Sequence, residues 1–177
     1  TPARRHAMST PTTLRAPGIA ILCADGAVPA VGHTTWNQVA RLGEFKGHPQ
    51  GAFAFTPEVF AELIANFAET ANGRVPVDYE HTSELLPDNA AQEGVPAVAW
   101  VVALDDRGPD GLWGAFEWVD AQAVEYVRAR RYLYLSPAVH FDATHRESGE
   151  AIGARLTSVA LTNHPFLDGM APLTASE

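Results

Sequence analysis

Four apolar runs crowd the second half of this chain, and each stops at a turn signal. Ala97–Leu104 is almost continuously apolar. Asp105–Gly111 then supplies Asp, Gly and Pro, and Leu112–Trp118 resumes the apolar pattern. Tyr132–Phe141 and Ala151–Leu161 follow, separated by turn residues between Arg146 and Glu150. Short β-branched and aromatic runs with such boundaries read as strands, the first two as a hairpin with a longer loop. Gly18–Cys23 and Val75–His81 add two earlier strands. The strands mostly follow one another without crossovers. This predicts a mainly antiparallel barrel or sandwich and disfavours a doubly wound sheet.

Two helices interrupt the strands. Thr56-Pro57-Glu58 supplies an N-cap, a proline at the first helical position and an acid in the first turn. Val59, Phe60, Leu63, Ile64 and Phe67 then share one helical face, up to Asn72-Gly73. Asp120 caps a second helix to about Arg130, with Val124 and Val127 as its apolar face. The expected class is therefore mainly β with inserted helices (α+β). Residues 1–17 read as a disordered arm, 18–168 as one domain, and 169–177 as a tail or the start of a linker. Thr82–Pro96 reads as a loop.

Composition narrows the function. The 177 residues carry 12 Lys and Arg against 21 Asp and Glu, a net charge of −9. Phosphate contacts need the opposite sign, which argues against nucleic acid and against an anionic membrane surface. No apolar run reaches about 18 residues, so no membrane-spanning helix is expected. A lone Cys23 in an apolar strand reads as a buried, inert thiol and permits no disulfide framework. None of the seven histidines has zinc spacing. Strand alternation would put Asp78 and Glu80 on one face and His81 on the other, so no metal or cofactor is expected. The glycines from Gly108 to Gly114 lack a following Lys-Ser/Thr and fail as a phosphate loop.

Two residues have the chemistry of a nucleophile and its base. His81 closes a strand and opens a polar loop, and an imidazole suits general-base work near neutral pH. Ser136 is a small hydroxyl inside the strand pattern Tyr132-Leu-Tyr-Leu-Ser-Pro-Ala-Val139, just before Pro137. Proline cannot donate to a ladder, so it marks an edge or bulge that can re-aim the serine. On residue type alone, a hydrogen-bonded histidine and a strand-end hydroxyl are the simpler readings. Fifty-five residues separate the pair, so only the fold can join them.

The order of motifs changes that balance. Val77-Asp-Tyr-Glu-His81, Ala97-Val-Ala-Trp-Val101, Asp110-Gly-Leu-Trp-Gly114, Glu117-Trp118, Tyr134-Leu-Ser-Pro-Ala-Val139 and Ala160-Leu-Thr-Asn-His-Pro165 occur in sequence, after Gly51-Ala-Phe-Ala-Phe-Thr-Pro-Glu58. Together, over about Gly18–Pro172, they resemble the Mu-like phage protease family. These are prohead maturation proteases, related to other phage prohead proteases and to herpesvirus assemblin. The resemblance implies an antiparallel β-barrel of that type with flanking helices. It implies a serine endopeptidase with His81 and Ser136 catalytic. It also implies self-cleavage and processing of phage scaffold beside capsid proteins, inside an assembling prohead in the bacterial host cytoplasm. A homodimer or higher oligomer is a further expectation, as in assemblin relatives. In relatives the third catalytic member, a His or an acid, lies on the strand after the serine. Here the matching position is Ser158, a departure, so either a Ser136–His81 dyad suffices or another group orients His81: Asn163 is one candidate, with Asp78 and Glu80 behind it. Because the third position is degenerate, a non-catalytic capsid-assembly module on the same fold stays a second reading.

Overall fold

Residues 13–16, 19–22, 29–69, 73–85 and 94–173 are described in a computed structural model of the chain. Cys23 and most of the expected arm lie outside them. Leu112–Trp118 shows how the sheet is built. Leu112, Phe116 and Trp118 are buried on one face, and Trp113 and Glu117 alternate onto the other. This strand is β8 in chain order, in which β1 is Thr13–Ala16, β2 Ile19–Leu22, β3 Thr34–Ala40, β4 Gly43–Phe45 and β5 Phe53–Phe55. Helix α1 is Pro57–Phe67, β6 Val75–Tyr79, α2 Thr82–Leu85, β7 Ala99–Asp106, α3 Ala121–Arg128, β9 Tyr134–Thr144 and β10 Ala151–Thr162.

Six strands form one curled sheet in the order β3-β8-β7-β6-β10-β9. The expected antiparallel pairing holds everywhere in it except at β6–β10, which run parallel. That one parallel pair departs from the expected antiparallel barrel, and it has a topological cause. β6 already pairs with β7 on one side, and β10 reaches its other side only after the β7–β8 hairpin and α3 have intervened. Among the described residues no pairing links β3 to β9, although the two edges approach each other. The sheet is thus a half-barrel. Two hairpins, β1–β2 and β4–β5, stand outside it, and β1 falls within the segment expected to be an arm.

Both predicted helices form as their caps dictate. Thr56 Oγ1 accepts from Val59 N at 3.3 Å, and Asp120 Oδ1 from Ala123 N at 2.7 Å. Phe60, Leu63 and Phe67 of α1 and Val124 and Val127 of α3 join the same core as Val75, Val77, Val101, Leu156, Val159 and Leu161. Strand β3 was not expected, because its Thr34-Thr-Trp-Asn-Gln38 start alternates poorly in polarity. It is held by β8, and Trp118 Nε1 donates to Thr35 Oγ1 at 2.9 Å. Within the segment 169–177 read as a tail or linker start, Met170 and Leu173 are buried, and Leu173 N donates to Leu133 O at 2.7 Å.

At the end of β6, Tyr79 packs 5.2 Å from Tyr132 and 6.3 Å from Tyr126, between ring centroids. Its hydroxyl is buried without a hydrogen-bond partner. Burial, aided by the nearby Asp120 charge and the two tyrosines, pushes its pKa from 10.0 up to about 12. The unfolded chain therefore ionises first, and the stabilisation present below about pH 10 is lost as pH rises toward 12. Tyr79→Phe is expected to leave stability at neutral pH unchanged or raised, since it removes an unpaired buried group. It should also flatten the alkaline decline. Urea midpoints measured on either side of pH 10 for both chains check this; equal alkaline slopes would contradict it.

Candidate functional site

The two residues singled out by sequence are brought to one region by β10. Its register sets Ala160 opposite Ser136 of β9 on one side and Asp78 of β6 on the other. Residues in register across a sheet project to the same face, so Ser136 and Asp78 share a face with Ala160 between them. Two strand spacings separate their backbones by about 10 Å. This is the face away from the core, since Val77, Leu135, Val159 and Leu161 all point into the core. Yet it is not open to water: Asp78 is 2% exposed, Ser136 8%, Ser158 1% and Thr162 3%.

The cover over this face is the turn that follows β6. Sequence alternation predicted a strand through His81, but β6 stops at Tyr79. Glu80 and His81 both take left-handed backbone angles, with φ of 52° and 56°. Consecutive non-glycine residues rarely do so, and each costs on the order of 1 kcal/mol or more. Several bonds hold the turn. Glu80 N donates to Leu161 O at 3.0 Å, and Thr82 Oγ1 donates to Tyr79 O. The His81 carbonyl accepts from Glu84 N and Leu85 N at 3.0 and 3.1 Å, so His81 starts α2. Asp78 Oδ2 accepts from Ser83 N at 2.7 Å. The expected division of Asp78 and Glu80 from His81 by strand faces therefore does not apply, because His81 lies beyond the strand.

A bulge in β10 fastens this turn to the sheet. Leu156 pairs with Val139 and Ser158 with Ala138, so Thr157 is an extra residue. The bulge changes parity: Ala154 and Leu156 face the core before it, Val159 and Leu161 after it. Thr157 and Ser158 consequently both reach one carboxylate, each hydroxyl donating to Glu84 Oε1 at 2.7 Å. One turn further on, Thr162 Oγ1 donates to Glu80 Oε2 at 2.7 Å. Glu84 was missed from the sequence because its segment read as a loop.

The four predicted site residues divide. Ser136 sits on an edge strand, one of the two places its proline neighbour allowed, and its hydroxyl makes no hydrogen bond to the described residues. His81 lies in the covering turn, with Nδ1 buried and unpaired. Ser158 shares the face of Ser136, but its proton is given to Glu84. Asn163 is committed elsewhere: Oδ1 accepts from Leu133 N at 3.1 Å and Nδ2 donates to Arg131 O at 2.7 Å, tying off the α3–β9 connection. At the Tyr134–Thr162 end of the β9–β10 pair, a cavity of about 440 Å³ is lined by Tyr134, Asn163, His164, Leu167, Asp168 and Met170, and by neither Ser136 nor His81. Among the described residues no cluster of His, Cys, Asp and Glu has metal-site geometry.

The family model of the Mu-like prophage I protein, N-terminal domain, matches residues 37–174. The chain belongs to this family. The Mu-like prophage I match begins inside β3 and ends one residue past the buried Leu173, so it covers part of β3, the other five strands of the main sheet and the turn at His81. No curated protein and no solved structure matches the chain. Among the described residues no helix is long and apolar enough to cross a membrane.

Proposed function

We propose that this Mu-like prophage I domain is a serine endopeptidase of prohead maturation, with Ser136 as nucleophile and His81 as general base. One observation carries the reading: a serine hydroxyl with no hydrogen-bond partner among the described residues lies on the polar sheet face to which the histidine's own turn is bonded. A hydroxyl that no neighbour holds is free to give its proton to a base.

In the proposed reaction His81 takes the Ser136 proton, Ser136 Oγ bonds to the scissile carbonyl carbon, and the proton passes to the leaving amine. Water then releases the acyl group by the reverse route. Pro137 has no N–H, so the residue after the nucleophile cannot be an oxyanion donor. Other backbone N–H groups must supply that stabilisation, each worth about 3 kcal/mol. The partners under this reading are phage scaffold and capsid proteins, and the chain itself as a self-cleavage substrate. The half-barrel is then a prohead-protease-type barrel, working within an assembling prohead in the host cytoplasm. A homodimer or higher oligomer belongs to the same reading.

Fluorophosphonate labelling tests the reading, because only an activated serine reacts. The expected result is a single adduct on Ser136, absent from Ser136→Ala. A longer chain carrying a scaffold segment should likewise process itself only when Ser136 is present. The second reading, a non-catalytic assembly module, rests on Ser158 at the position where relatives have a His or an acid. Unlabelled Ser136 in both monomeric and assembled protein would favour it.

A further inference from the structure

Three carboxylates belong to the β6–α2 turn, and two of them are occupied. Glu80 receives Thr162, and Glu84 receives Thr157 and Ser158. Asp78 differs. It is the buried one of the three, its Oδ2 is held by Ser83 N, and its Oδ1 is buried with no partner. A buried carboxylate oxygen without a donor is costly. On the same turn, His81 Nδ1 is also buried without a partner. Asp78 lies three residues before His81, and Ser83, whose N–H it binds, lies two residues after. The carboxylate is thus anchored under the segment that carries the ring. The His81 backbone is fixed by the two bonds that its carbonyl accepts from Glu84 N and Leu85 N.

We propose that Asp78 is the positioning residue for His81, accepting Nδ1–H on its free Oδ1 and leaving Nε2 to face Ser136. This rests on the serine-protease reading and completes it. The negative charge absent from the Ser158 position comes instead from β6, the strand before the histidine. Asp78 keeps its own charge throughout. The proton moves from Ser136 Oγ to Nε2 and on to the leaving group, and the carboxylate stabilises the imidazolium in between. The arrangement explains why an acid is buried on the outer face at the strand position in register with the serine. It also gives the left-handed turn a purpose, because an extended strand through His81 would carry the ring to the other face.

The test does not depend on proteolysis. In Ser136→Ala protein the His81 ring nitrogens are observed by nitrogen NMR with Asp78 present and in Asp78→Asn, which keeps an acceptor for Ser83 N. With the carboxylate present the ring is expected to hold its proton on Nδ1, and the Nδ1 signal should shift when the carboxylate is removed. Should Asp78→Asn fail to fold, the reciprocal measurement replaces it: the Asp78 carboxyl carbon signal should shift in His81→Asn. With Ser136 restored, Asp78→Asn should slow fluorophosphonate labelling at least tenfold. Unchanged ring and carboxyl signals would overturn the pairing, even if Ser136 still labels. Coupled signals with an inert Ser136 would instead overturn the protease reading and with it a catalytic role for the pair.

Discussion

Replacing His81 by asparagine is expected to slow acylation of Ser136 by about 10²–10⁴-fold, the usual contribution of a general base. Asparagine is the better choice over alanine because it tolerates the left-handed angle of 56° found at this position. The backbone bonds that start α2 at His81 then survive, and thermal stability should change little. Fluorophosphonate labelling rates report the effect directly. In a longer, self-processing chain, His81→Asn combined with Ser136→Ala should be no slower than Ser136→Ala alone, because the two residues act as a unit. A labelling rate within threefold of the parent would remove His81 from the mechanism.

The largest expected effect on stability comes from a glycine far from that site. Gly111 closes the turn between β7 and β8 with φ 87° and ψ −166°, a region that is essentially glycine-only. A Cβ there would run into the Ala40 carbonyl oxygen and lie 3.1 Å from Arg41 Cα. Both obstacles are backbone, so neither can swing aside. Gly111→Ala is expected to cost about 3 kcal/mol or more, adding backbone strain to overpacking. Gly108, three residues earlier in the same turn, also has positive φ, but nothing lies within 4 Å of its would-be Cβ. Gly108→Ala should cost only about 1 kcal/mol. Denaturant midpoints of the two variants separate close approach from backbone angle; equal losses would show that the contact with Ala40 and Arg41 is unimportant.

What the sequence disclosed followed from local chemistry. Thr56-Pro57-Glu58 and Asp120 set helix starts through caps that act within four residues, and Leu112–Trp118 showed itself as a strand by its apolar run after a turn. Pro137 marked Ser136 as lying at an edge or a bulge, and β9 is an edge strand. What stayed hidden depended on contacts distant in the chain. Strand β3 has little pattern of its own and exists because β8 supplies partners. The bulge at Thr157 is visible only once β9 is laid beside β10. The chain reversal at Glu80-His81 is unfavourable for both residues and is imposed by bonds from Leu161, Thr162 and Ser83. Alternation therefore ran two residues too far, and with it went the relation of Asp78 to His81. Family resemblance named the serine and the histidine, and Mu-like prophage I membership now stands behind the fold they share.

The parallel pairing of β6 with β10 sets an order of events during synthesis. Asp78 and His81 leave the ribosome roughly eighty residues before the Ala160 that joins them to Ser136. A nascent chain that ends before β10 can hold the histidine and even the serine, but lacks the strand that pairs with both β6 and β9. Contacts this distant in sequence also form late and slowly in folding. Any peptide-cleaving power of the domain would thus be switched on only by the last strand of its sheet.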